Sequence, residues 1–222
     1  MANDIIAVVG MAFEARIVAG PGLFVLSGAE LLSPKYQDTD PRDFRGVLSF
    51  GIAGGLSSDL KPGTCVVASE VVTADGERIA TDPVWSDRLR AKLPQAVTGP
   101  LAGMDLPLIL TEDKQALHRT TGALAVDMES HLAARIAMLR GLPFAAVRVV
   151  ADPASRSLPN AALAGMRPDR STDPFAVMRA LLRRPRELRA LMRVALDVRA
   201  ARTTLLRGRQ LLGASLVFSD LG

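Results

Sequence analysis

Three β-branched runs that end on a glycine or a carboxylate constrain this chain most. Asp4–Gly10 (DIIAVVG) is followed by Glu14, Val47–Phe50 runs into Gly51–Leu56 (GIAGGL), and Pro143–Val150 (PFAAVRVV) stops at Ala151–Asp152. Such runs suit strands buried on both faces of a sheet. Further strands are expected at Gly22–Leu26, over Lys61–Val72 after a turn, and at Leu106–Leu110. Val126–Arg140 begins polar and becomes an alanine-rich amphipathic helix. Strands alternating with helices predict an α/β fold, a three-layer α/β/α arrangement around a central mixed sheet. Ligands of such sheets gather at the carboxyl ends of strands. Glu14, the Gly51–Gly55 turn and Asp152 all follow strands, so they can converge although they are far apart in sequence.

The length of 222 residues suits one large domain over 1–222 with a well-buried core. The single cysteine, Cys65, excludes an internal disulfide and a multi-cysteine zinc site. It sits in a strand-like run and reads as a small buried apolar side chain. His118 and His131 are not spaced as a helical metal pair, so no metal is expected. Neither a signal peptide nor a membrane span of ~20 apolar residues is expected, and a reducing cytoplasm fits.

A few carboxylates suffice for one kind of chemistry. Cleaving a glycosidic bond to a purine requires protonation of the leaving base and contacts to the developing oxocarbenium ion. It also requires a nucleophile, water or phosphate, on the opposite ring face. Asp152, at the end of a buried strand, can be kept partly protonated by desolvation and could donate that proton. It equally suits a turn cap before Pro153. Glu129 could accept both ribose hydroxyls, with Met128 beneath the sugar; otherwise it is a helix N-terminal acid favoured by the dipole. Glu14 could activate water or bind the sugar, or lie on a solvated helix face. The glycine turn lacks the dinucleotide fingerprint and the phosphate-loop lysine. It still allows a ligand close to the backbone, or it is simply a tight turn.

Together these segments resemble the methylthioadenosine/adenosylhomocysteine nucleosidases of the nucleoside phosphorylase and nucleosidase superfamily. Gly10-Met11-Ala12-Phe13-Glu14 is similar to their Met-x-x-Glu opening, and Gly51–Leu56 to their glycine-rich turn. Lys61–Val72 is similar to their K-x-G-D strand, Asp127-Met128-Glu129 to their E-M-E segment, and Arg148–Asp152 to their R-x-x-S-D. The order and spacing agree across residues 5–153. The resemblance implies a phosphorylase-like fold and adenine release from a nucleoside without a cofactor. It implies Asp152 as the general acid and Glu129 with Met128 at the ribose. Glu14 would position the nucleophile, bordered by Ile52, Ala53 and Gly54. Ile52 stands where the family has Ser or Thr, Ala151 replaces a serine, and Asp127 replaces a glutamate. The lost hydroxyl at Ile52 leaves water or phosphate open as the nucleophile, and Arg16, near Glu14, could supply charge to phosphate. A homo-oligomer is the expected assembly.

The tail has its own pattern. Twelve arginines lie between Arg167 and Arg209 against four acids, within a net charge of +4 for the whole chain. Over 174–209, Leu188, Leu191, Met192, Ala195 and Val198 recur at helical spacing beside Arg186, Arg189 and Arg193. This is either a helix packed on the sheet with a solvated basic face, or a helix lying on anionic lipid at the inner membrane. Nucleic acid is not expected, because interleaved aromatics and a recognised module are lacking. A nucleosidase-like core with an arginine-rich helical tail is most similar to the hopanoid-associated phosphorylase branch. That resemblance implies release of adenine from adenosylhopane, a lipid-linked nucleoside. A soluble methylthioadenosine-type nucleosidase and a non-catalytic purine- or membrane-binding module stand as alternatives.

Overall fold

The computed structural model describes residues 4–28, 30–32, 44–160, 162 and 174–218. Eight strands form one mixed sheet: β1 (Asp4–Val9), β2 (Leu23–Ser27), β3 (Phe44–Gly55), β4 (Cys65–Val72), β5 (Arg78–Ala80), β6 (Val97–Gly103), β7 (Ala125–Asp127) and β8 (Phe144–Asp152). Among the described residues, helices α1 (Ala12–Val18), α2 (Pro83–Lys92), α3 (Thr111–Thr121), α4 (Ser130–Arg140), α5 (Pro174–Arg183) and α6 (Leu188–Leu212) accompany them.

The sheet runs β2-β1-β3-β7-β6-β4-β5, and β8 pairs with both β3 and β4. Since β3 also pairs with β7, and β6 pairs with both β4 and β7, the pairings close a ring of five strands. The length of β3 makes this possible. Its first half lies parallel to β1, the stretch from Val47 to Gly54 lies parallel to β8, and its last two residues, Gly54 and Gly55, also pair antiparallel with β7.

Alternation along the strands sorts the core into two layers. Ile5, Ala7 and Val9 of β1 and Ala145, Val147 and Val149 of β8 pack with Ile17 and Val18 of α1, Trp85 and Leu89 of α2, and Ala201, Leu205 and Leu212 of α6. Ile6 and Val8 of β1 and Ala146 and Val150 of β8 pack on the other face with Ala133, Ala134 and Ala137 of α4. Small alanines let α4 approach the sheet closely. Trp85 locks the first layer: its indole N–H donates to the Leu216 carbonyl at 2.9 Å, and its ring meets Phe218 edge-on at 4.7 Å.

Several expectations are corrected. Leu106–Leu110 is not a strand: it is an irregular lead into α3, with Leu106 and Leu110 half-exposed or more and Pro107 unable to donate to a ladder. The strand in that region is β6, which Gly99 and Pro100 disguised; Pro100 sits where the β4–β6 register shifts, a position that tolerates a missing N–H. Gly51–Gly55 is no turn but the continuation of β3, paired through to Asp152. The helix expected at Val126–Arg140 begins at Ser130, because Ala125–Asp127 pairs with β3 and β6 as β7. The C-terminal basic helices, by contrast, are present as expected: the tail folds as α5 and α6, with Pro185 opening the short 3₁₀ turn between them. Residues 161 and 163–173 of the expected Ala154–Asp173 connection lie outside the described residues.

Candidate active site

The ends of β1 and β3 and the middle of β8 bring together a buried charged cluster. Glu14, in the first turn of α1, is 1% exposed. Its Oε2 accepts from the N–H groups of Gly10 and Met11, both at 2.8 Å, and its Oε1 from the N–H of Ile52 at 2.7 Å. The carboxylate thus reaches back to cap its own helix and ties β1 to β3. Burial pushes its pKa above the ordinary carboxylate value, opposed by Arg148 and the three backbone donors.

Arg148 is the cation of this cluster, and it is fully buried. Nη1 donates to Glu129 Oε2 and to the Ile52 carbonyl, both at 3.3 Å. Nη2 donates to Ser49 Oγ at 2.5 Å and pairs with Asp127 Oδ1 at 3.2 Å. Nε donates to Ser130 Oγ at 3.3 Å, and that hydroxyl also meets Ser49 Oγ at 2.9 Å. Burial opposes the charge on Arg148, but Asp127, Glu129 and Glu14 outweigh it and hold the guanidinium pKa above its usual value. Asp127 Oδ1 also accepts from the N–H groups of Glu129 and Ser130, so it fixes the first turn of α4 and the position of Glu129.

Two glycines make the convergence possible. A Cβ on Gly10 would lie 2.8 Å from both carboxylate oxygens of Glu129, and one on Gly51 would lie 2.6 Å from Glu14 Oε1 and 2.7 Å from Arg148 Nη1. Both positions require a residue without a side chain.

Asp152 ends β8 opposite Gly54 of β3. Its Oδ2 accepts from Lys114 Nζ of α3 at 2.5 Å. Burial raises the Asp152 pKa, while Lys114 and then Arg156 pull it down and Asp197 adds a smaller upward push. Lys114 is fully buried and also donates to the carbonyls of Arg156 at 2.8 Å and Pro153 at 3.3 Å. The Arg156 side chain pairs with Asp197 of α6.

The structure therefore gathers Glu14 and Glu129 around Arg148 and seats Asp152 against the end of β3. Met128 is partly buried between β7 and α4, and Gly54 lies beside Asp152 Oδ2. Ala53 belongs to the α4-side core, while Ile52 serves through its backbone N–H and C=O. Arg16 is not brought in: it is exposed, and at two residues from the buried Glu14 it falls on another side of α1. Lys114 and Arg148 were missed as site residues. An arginine inside the otherwise apolar PFAAVRVV was the available signal, since a buried charge requires partners. Lys114 sits in the polar stretch TEDKQALHRT, which reads as a solvated helix. Two cavities, of about 280 and 890 Å³, lie elsewhere; the larger runs between α6 and the start of β4.

Residues 42–183 match the model of the phosphorylase superfamily, and the chain belongs to that superfamily. Among solved structures, it is similar to the futalosine hydrolase of Helicobacter pylori (16% identity, 97% of this chain and 98% of that one, TM-score 0.68). It is also similar to the 5'-methylthioadenosine/S-adenosylhomocysteine nucleosidase of the same organism (16%, 97% and 99%, TM-score 0.66) and to that of Neisseria meningitidis bound to methylthio-immucillin-A (14%, 93% and 97%, TM-score 0.63). At such identities the likeness establishes the fold. No curated protein matches by sequence.

Proposed function

We propose that this chain cleaves the N-glycosidic bond of an adenine nucleoside by hydrolysis. The observation that carries the reading is the placement of two carboxylates near one buried arginine, Glu129 bonded to it and Glu14 within its electrostatic reach, with a separate acid, Asp152, at the end of β8. Asp152 protonates the departing base. Glu129 accepts the ribose hydroxyls, and its charge stabilises the oxocarbenium ion. Glu14 and Arg148 hold the nucleophile.

The balance of charge supports water over phosphate. Asp127, Glu129 and Glu14 face a single guanidinium, so an incoming phosphate dianion would meet a net negative cluster. The exposed Arg16 does not alter that balance. Incubation with methylthioadenosine and with a lipid-linked adenosine, with and without inorganic phosphate, tests the reading. The expected products are free adenine and an unphosphorylated sugar, at a rate independent of phosphate. A rate that rises with phosphate, with a sugar phosphate as product, overturns hydrolysis; no adenine from either substrate overturns the nucleosidase reading and favours a purine-binding module.

We further propose that the substrate is adenosylhopane, presented at a membrane surface. The observation favouring it over a small soluble nucleoside is the outer face of the tail. The second half of α6 covers the sheet through Ala201, Leu205 and Leu212. The first half leaves Leu188, Met192 and Leu196, one turn apart, 47–62% exposed, and α5 leaves Met178 and Leu182 more than half exposed. Arg179, Arg183, Arg184, Arg186, Arg189 and Arg193 are exposed around them. An apolar stripe rimmed by arginines suits an anionic bilayer surface, where each basic residue is worth about 1 kcal/mol. Among the described residues no helix is long and apolar enough to cross a membrane. Vesicles containing phosphatidylglycerol are expected to co-sediment the protein, neutral vesicles to do so weakly, and salt to release it. Replacing Arg186, Arg189 and Arg193 by Gln is expected to weaken binding and slow cleavage of the lipid-linked substrate, but not of a short soluble analogue. A wild-type protein that ignores anionic vesicles at low salt leaves the tail as a cover for the sheet.

A further inference from the structure

Asp152 has an unusual neighbour for a residue that must give up a proton. The ammonium of Lys114 is fully buried, and its three acceptors are Asp152 Oδ2 and the carbonyls of Pro153 and Arg156. It therefore fixes both the carboxyl group and the chain that leaves β8. Asp152 Oδ1, by contrast, takes no hydrogen bond from the described residues, and the side chain is 16% exposed. One oxygen is clamped and the other is open.

We propose that Lys114 is the positioning residue of the acid: its ammonium holds Oδ2, turns Oδ1 toward the base, and stabilises the carboxylate left behind after proton transfer. This rests on the N-glycosidase reading given above. The step balances simply. The proton on Oδ1 passes to a ring nitrogen of the purine as the C1'–N9 bond breaks, the bonding pair leaves with the base, and the new carboxylate is paired at once with Lys114; water held at Glu14 then adds to the oxocarbenium ion at C1' and gives up a proton to Glu14. Without a cation there, the product carboxylate would be a buried, weakly compensated charge, and the acid would be correspondingly weak. Burial favours the protonated form of Asp152, and Lys114 keeps its proton transferable. The other charged groups around Asp152 are Arg156, in the chain after β8, and Asp197 of α6. They pair with each other, which leaves Lys114 as the dominant charge.

The test is a pH–rate profile of Lys114→Gln, with Lys114→Arg as the conservative control. Gln removes the charge and keeps N–H donors for the two carbonyls. The protonated acid is the active form, so the rate falls as pH rises through the Asp152 pKa. Removing a cation in contact raises that pKa, and the alkaline limb moves up by roughly one to three pH units. The plateau kcat falls at the same time, because a weaker acid transfers its proton less readily, while KM changes little. Lys114→Arg keeps the limb in place. A merely structural lysine would lower the rate of Lys114→Gln without moving the limb, and that result overturns the proposal.

Carbon-13 labelling of the aspartate carboxyls, with Asp152 assigned through Asp152→Asn, gives a readout that needs no turnover. The Asp152 titration is expected to move upward in Lys114→Gln by the same amount. In wild type the Lys114 Nζ signal is expected to inflect at the pH where Asp152 titrates; this holds even if the neutral variant fails to fold, and absence of the inflection overturns the contact. If wild type releases no adenine but the titrations behave as described, the function is wrong and the Lys114–Asp152 pairing stands.

Discussion

Asp152→Asn is expected to lower kcat about 10²–10⁴-fold, the range that a positioned acid contributes, with little change in thermal stability. The amide keeps the shape, and its oxygen can still accept from Lys114 Nζ, which now contacts Oδ2 at 2.5 Å. The end of β8 and the carbonyls of Pro153 and Arg156 remain held by the same lysine. What is lost is the transferable proton. A steady-state assay of adenine release, beside a melting curve, separates the two. Near-normal turnover by a folded Asp152→Asn protein would remove Asp152 from the reaction and leave it as a cap on the β8 exit.

The largest effect on stability is expected for Arg148→Met. Removing one partner of a buried, hydrogen-bonded charge network typically costs about 3–5 kcal/mol, because the remaining charges are stranded. Here Asp127, Glu129 and Glu14 would be stranded together, and the Ser49 and Ser130 hydroxyls would lose a donor. That cost is a large fraction of the ~5–15 kcal/mol that stabilises a domain.

The deficit has a predictable pH dependence. The Glu14 pKa is already raised by burial in the wild type, and loss of the Arg148 charge raises it further. A carboxyl whose folded-state pKa lies above its unfolded value binds more protons when folded, so stability falls as pH rises through the interval between the two. Arg148→Met should therefore be most destabilised at neutral pH and partly recover toward pH 4–5, near the ordinary carboxylate pKa of ~4.3. Urea unfolding at several pH values measures this. A constant deficit across that range would mean that Glu14 does not face Arg148 as an ionisable group.

Much of the architecture was written locally. Short apolar runs rich in β-branched residues and bounded by turn residues favour a buried strand over a helix, so Asp4–Gly10, Lys61–Val72 and Pro143–Val150 announced β1, β4 and β8. The ends of those runs also announced Glu14 and Asp152, because a polar residue that follows a buried strand stands at the edge of the core. Short elements with mixed composition were illegible. β6 contains two glycines and a proline, and β7 has only three residues, Ala125–Asp127. Both exist because the ring of strands offers them partners, which is a property of the whole sheet. Leu106–Leu110 failed in the opposite sense: it is apolar enough for a strand, but Pro107 interrupts it and it pairs with no strand among the described residues.

Periodicity and composition determined the α/β class, the presence of the main strands and the separate basic tail. Tertiary structure alone decided which charges meet. Glu14, Asp127, Glu129 and Arg148 are spread over more than 130 residues of sequence, and no local pattern states that three carboxylates share one guanidinium. Lys114 was in a stretch that reads as solvated, yet the fold buries it against Asp152. The physical reason is that hydrophobic burial depends on residue type and spacing, which a sequence displays. Ion pairing between buried groups depends on distances of a few ångströms, set only when the sheet closes on itself.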